Sequence, residues 1–245
     1  MASICRLCQN ETRLCKSHII PEFLFAPVYD DKHRMLVLDT KVGIQDWAQK
    51  GFRELLLCKQ CESMLNHNYE TYFSSQIVDK KIIPDRFSRP IHKFHYHGIS
   101  YIPYKLFLLS VFWRMIVSES TPFKQAANQN FEPVLREMII KGQPGNEEKF
   151  PIRGAVVIDK RDNAVMKSLL ITPIEFHIQD IPVIACLLDG VYWVLFLTET
   201  GLPKLSSIHK NGSLELNIKD FTEIATLSNG FQSYLEKENT RLHKQ

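Results

Sequence analysis

Long apolar runs are missing from this sequence. Across its 245 residues no stretch approaches the roughly 18 apolar residues that a membrane-crossing helix needs. The best candidate, residues 102–117, is interrupted by Lys105, Ser110 and Arg114. The opening MASICRLC has no apolar segment behind a basic start, so no secretory leader is expected. Internal repeats and low-complexity tracts are absent too. Charge of one sign is not in excess: 30 Lys and Arg against 27 Asp and Glu leave a formal net charge of +3. That balance tolerates nucleic acid but lacks the dense basic patch of a dedicated binder. These absences predict a cytoplasmic protein with no membrane partner. With 44% hydrophobic and 23% charged residues, a core can form without disulfides.

What is present is a pair of cysteine doublets. Cys5-Arg6-Leu7-Cys8 opens the chain, and Cys58-Lys59-Gln60-Cys61 follows after 49 intervening residues. A CxxC doublet puts two sulfurs on one tight turn, and two doublets supply the four thiolates of a tetrahedral structural zinc site. In a reducing compartment such cysteines are ligands rather than disulfide partners. Cys15 is a spare sulfur, either core-facing or near the ion without binding it. Cys186, in an apolar stretch, reads as plain core.

The rest of the chain predicts an α+β protein in three parts. Residues 1–78 form a zinc-bound module of the treble-clef or ββα kind. Residues 79–143 hold a connector and apolar helices, and residues 144–245 an antiparallel, strand-rich α+β domain. Within the first part, strands are expected at residues 14–20, ended by Pro21, and at 35–38, with a long loop across residues 30–51 and residues 54–57 bringing the chain back to Cys58. A helix follows Cys61, with Met64, Leu65, Tyr69, Tyr72 and Phe73 on its apolar face. Residues 101–118 form a strongly apolar helix. A further helix starts at Pro122 and runs to about Lys141, with Pro133 breaking it. Strands are expected at 154–159, 169–177, 183–188, 191–197 and 214–218. Asp189-Gly190 should form a type I′ hairpin turn, and Asp220 should cap a helix. The C-terminal EKENTRLHKQ reads as a frayed tail.

Between the doublets lies Ser17-His18-Ile19-Ile20-Pro21. Flanked by two CxxC pairs, it resembles the HNH, or His-Me finger, nuclease group. KSHIIPEFL followed by LLLCKQCE and SVFWR is also similar to a set of uncharacterised bacterial proteins loosely labelled HNH-like, over about the first 120 residues. The resemblance implies that His18 is the general base that activates water. It implies a divalent cation, Mg²⁺ or similar, held by Glu62 directly after the second doublet and by Asn66 one turn on. Ser17 stands where the family often has a metal-ligating Asp. Arg53 stands where an asparagine orients the histidine, and a guanidinium there can bind phosphate but cannot accept from imidazole.

Two functions follow. One is a metal-dependent nuclease acting on DNA or RNA, suited to bacterial defence or genome conflict. The other is a zinc module whose chemistry has lapsed and which binds nucleic acid or a protein. In either case the C-terminal part could serve a protein partner or a homodimer. His18 could instead be a zinc ligand, and Glu62 a first-turn acid that merely suits the helix dipole. Asn66 and Glu70 also read as solvated helix-face residues. His92, His95 and His97 could form a metal cluster, and Arg86, Arg89 and Lys93 with Phe87, Phe94 and Tyr96 a nucleic-acid surface, although a solvated connector explains both. Trp113 and Arg114 read as core and helix-edge residues.

Overall fold

The computed structural model describes residues 3–32, 35–39, 43–48, 51–120, 123, 129–199 and 205–224. The expected helix start at Pro122 and the C-terminal tail lie outside the described residues. Strands β1 (Ser3–Ile4) and β2 (Glu11–Thr12) form a small hairpin whose turn carries Cys5 and Cys8. Strand β3 (Leu14–His18) leads through Pro21 into a single 3₁₀ turn, Glu22–Leu24. Strands β4 (Met35–Asp39) and β5 (Gly43–Ala48) pair with each other inside the segment expected to be mostly loop. Strand β6 (Arg53–Cys58) returns antiparallel to β3, with a bulge after Cys15.

Cys58 then caps helix α1 (residues 59–78). Leu65, Tyr69, Phe73 and Ile77 are all buried along it. A strict spacing of four drifts around a 3.6-residue helix. Wider π-type turns at Asn66–Glu70 and Ser74–Val78 offset that drift and keep the four on one face.

Strand β7 (Lys93–His97) lies within the expected connector. Helix α2 (Tyr101–Val117) runs through the centre of the protein and is buried on every face from Tyr104 to Ile116. Phe107 stacks on Phe73 of α1 at 3.9 Å, and Tyr104 meets Trp193 edge-on at 6.2 Å. Helix α3 (Glu132–Lys141) has Pro133 in its first turn, where a proline is tolerated; most of the expected helix before it lies outside the described residues. Gly142, at φ 65°, ends it in the left-handed conformation.

The remaining strands are β8 (Ile152–Asp159), β9 (Ala164–Val165), β10 (Ile171–Ile178), β11 (Ile181–Leu188), β12 (Val191–Phe196) and β13 (Ser213–Asp220). With β7 they make a seven-stranded sheet, ordered β10-β11-β12-β8-β13-β7, with β9 on β8. It is antiparallel except at β13 and β8, which run parallel, so a purely antiparallel sheet is not what forms. The β11–β12 hairpin turns at Asp189 and Gly190, with φ of 48° and 73°, as a type I′ turn requires. Ile184, Cys186 and Leu188 face the core that holds α2, while Val183, Ala185 and Leu187 face a second cluster on the other side. Covered on both faces, β11 reads as a continuous apolar run rather than an alternation. The first cluster extends from Cys5 to Leu216, and β7 carries residues 93–97 into the C-terminal sheet by pairing with β13. The chain is therefore a mixed α/β protein with a strand-rich C-terminal sheet and few helices.

Candidate metal centre and the His18 cluster

The β1–β2 turn and the β6–α1 junction bring Cys5, Cys8, Cys58 and Cys61 together, all four sulfurs within 4.8 Å of one another. Cys8 and Cys58 sulfurs are 3.9 Å apart. A tetrahedral ion with metal–sulfur distances of about 2.3 Å places its sulfurs about 3.8 Å apart, so the spacing suits zinc. Backbone N–H groups point at the sulfurs: Cys58 N donates to Cys5 Sγ at 3.3 Å and Cys61 N to Cys58 Sγ at 3.5 Å. Burial works to raise the Cys5 thiol, but N–H groups of Cys8, Cys58 and Leu7 more than offset it and hold it below its usual value. Burial, reinforced by the crowded sulfurs, pushes Cys61 strongly up. Four thiolates this close need a cation among them, and the donor set could hold a metal ion. All six cysteines are free thiols; Cys15 is half-buried and outside the four, and Cys186 is fully buried in β11.

The same β3–β6 hairpin sets the strand-end histidine. His18 and Arg53 are direct cross-strand partners, so they share one face of the hairpin. Pro21 turns the chain so that Glu22 comes back over them. His18 Nε2 lies 2.9 Å from Glu22 Oε2, and Arg53 Nη2 lies 3.5 Å from the same oxygen. The His18–Glu22 approach is close but out of line for a hydrogen bond, and both atoms are shielded from solvent. The other carboxylate oxygen accepts from Tyr29 at 3.1 Å. Burial and the neighbouring carboxylate push the Tyr29 phenol up, keeping it a neutral donor. The His18 carbonyl is fixed from behind by Arg114 Nη1 at 3.1 Å, and that nitrogen also pairs with Glu70 Oε1 at 2.8 Å. Arg114 is 1% exposed, a core residue rather than a helix-edge one, and Glu70 is its partner rather than a solvated acid.

The other expected site residues fall elsewhere. Ser17 points inward on the opposite face from His18, and its Oγ accepts the Leu57 N–H at 3.1 Å beside the bulge. Glu62 follows Cys61 in the first turn of α1, and its Oε1 is buried without a hydrogen-bond partner. Asn66 is exposed and accepts from Thr71 Oγ1 at 3.1 Å. His18 makes no hydrogen bond or ion pair with Glu62 or Asn66. Among the described residues the four cysteines are the one group of three or more Cys, His, Asp or Glu whose ligand atoms converge. His92, His95 and His97 are exposed; His95 and His97 lie on one face of β7, with His95 4.0 Å from Glu215. Arg86 pairs with Asp162 at 2.7 Å. Trp113 is fully buried and donates to Glu132 at 2.9 Å.

Glu22, Tyr29, Glu70 and Arg114 are the neighbours that sequence reading did not assign to the site. For Glu22 a local signal existed: a carboxylate four residues beyond the histidine, with a proline between that can open a helical turn. No protein-family model, curated protein or solved structure matches the chain. No described helix is long and apolar enough to cross a membrane.

Proposed function

We propose that the chain is an HNH-type, metal-dependent nuclease built on a treble-clef zinc module. The observation that carries this reading is the placement of Glu22 against His18 and Arg53 at the end of the β3–β6 hairpin. A histidine acting as general base needs a partner that orients the ring and stabilises the imidazolium it becomes. Glu22, at ion-pair distance from Nε2 though out of line for a hydrogen bond, would supply that partner by its charge where Arg53 replaces the family's asparagine. With Nε2 turned to Glu22, Nδ1 is the nitrogen that takes the proton from water. The water oxygen forms the new bond to phosphorus as the bond to the leaving oxygen breaks. Arg53, set beside Glu22, donates to a non-bridging phosphate oxygen. Glu62 and Asn66 would hold Mg²⁺ or a similar cation, and the partnerless, shielded Oε1 of Glu62 suits such an ion. That ion, when bound, supplies charge stabilisation at the phosphate and the leaving oxygen. The substrate is DNA or RNA, and a role in bacterial genome defence follows from the resemblance.

A second reading keeps the zinc module and drops the chemistry, leaving a binding protein for nucleic acid or another protein. The inward, structural role of Ser17 favours it. Cleavage of plasmid DNA and of RNA by the zinc-loaded chain, with Mg²⁺, Mn²⁺ or Ni²⁺, separates the two. The nuclease reading expects cleavage with at least one of these ions and a loss of 10²-fold or more in Glu22→Gln. Intact substrates under every condition would leave the binding module.

A further inference from the structure

The hairpin face that carries His18 and Arg53 continues away from them as a cationic groove. Lys16 and Leu55 are cross-strand partners two residues further along on the same face, and both are exposed. Beyond them the hairpin, β2 and the start of α1 enclose a cleft of about 1080 Å³, lined by Arg13, Lys16, Leu55 and Lys59 among others. None of the described residues lining it is acidic. Arg13, Lys16 and Lys59 are all exposed, and none is paired with a carboxylate among the described residues. Other exposed cations, such as Lys81 with Asp85 and Arg86 with Asp162, do find acids, while Lys80, Arg89 and Lys93 pair with no acid among the described residues but do not line this cleft. What sets the groove apart is that three unneutralised cations line one cleft with no acid among its described lining residues. The Leu55 side chain, 61% exposed, sits among them.

We infer that this groove holds the phosphate backbone of a nucleic acid and leads it to His18 and Arg53. The inference rests on the proposed nuclease or nucleic-acid-binding function and adds the path that the strand takes. Unpaired ammonium and guanidinium groups in a row match a polyanion with regularly spaced charges, and each phosphate contact releases counterions, so affinity falls steeply with salt. The contacts are to backbone, so they confer little sequence preference.

The test is fluorescence anisotropy of a labelled 30-mer, as DNA duplex and as RNA, with the full zinc-loaded chain and no added divalent cation, across a salt series. The wild-type chain should bind, and Lys16→Glu/Lys59→Glu should bind at least tenfold more weakly. Lys16→Gln/Lys59→Gln should lower the slope of log affinity against log salt by about two. A charge-matched control, Lys80→Glu/Lys141→Glu, should keep wild-type binding, and zinc content should be unchanged in all variants. Wild-type binding that survives both groove variants with its salt slope intact overturns the groove path and leaves the proposed function standing. A wild-type chain that binds neither nucleic acid overturns both. Equal competition by polyglutamate would also overturn the inference, because it would make the groove a site for acidic protein segments.

Discussion

Arg114 and Glu70 form a buried ion pair, 2.8 Å between Nη1 and Oε1, and the same Arg114 nitrogen reaches the His18 carbonyl at 3.1 Å. One side chain of the central helix thus ties α1 to the end of β3. Removing either partner leaves the other charge buried without compensation, which costs about 3–5 kcal/mol. Urea denaturation should show a loss of that size for Arg114→Ala and for Glu70→Ala. The Arg114→Ala/Glu70→Ala double variant should lose less than the sum of the two. Additive losses would mean that the pair does not act as a unit.

The cysteine set predicts that metal is part of the fold. Elemental analysis of the purified chain should find about one zinc per molecule. Cys58→Ala and Cys61→Ala should each lose it and the cooperative melt with it, because binding energy at such a site is folding energy. A stable, cooperatively melting Cys58→Ala would contradict this assignment.

Lys105 is fully buried, with its ammonium donating to the carbonyls of Asn146 and Lys149 at 2.6 and 2.7 Å and to Tyr101 at 3.2 Å. Burial pulls its pKa down to about 7, the nearby Glu147 opposing that shift. The unfolded lysine, at about 10.4, holds its proton through a range where the folded one has lost it. The unfolded state then binds more protons, so stability should rise with pH from about 7 to about 10, by up to about 1.4 kcal/mol per pH unit. Denaturation between pH 7 and 9.5 should show that rise, and Lys105→Met should flatten it.

Asp189 is the reverse case. Burial raises its carboxyl to about 6, with Asp85 adding to the rise and Lys167 opposing it. The unfolded carboxyl ionises near 3.9, so the folded state loses stability as pH climbs from about 4 to 6. Asn accepts the left-handed turn conformation without carrying charge. Asp189→Asn should therefore melt higher at pH 7.5, by about 1–2 kcal/mol after allowing for solvent screening. The gain should vanish near pH 4.

Local chemistry made much of this protein readable. The CxxC doublets, the Asp189-Gly190 turn and the β-branched runs each declare themselves within a few residues, and each lies where expected. Features that depend on distant partners were harder. β7 showed its alternation only as Phe94 and Tyr96 between polar neighbours, and nothing local said that β13 would pair with it. The parallel β13–β8 contact is likewise invisible without the sheet. Lys105, Ser110 and Arg114 read as interruptions of an apolar helix. Lys105 and Arg114 are buried because carbonyls and a carboxylate far along the chain meet them, whereas Ser110 donates back to the Phe107 carbonyl of its own helix. His18 stood out by its motif, whereas Glu22 left only the weak local signal of its i+4 spacing, and its approach to His18 shows once Pro21 turns the chain back.

The most direct measurement of the central claim is the cleavage rate of His18→Ala against the wild-type chain, on the same nucleic acid and divalent cation, with both proteins matched for zinc content. A general base contributes about 10²–10⁴-fold, so the variant should lose at least two orders of magnitude while keeping its zinc and its melting temperature. Equal rates in the two proteins, or no cleavage by either, would contradict the account.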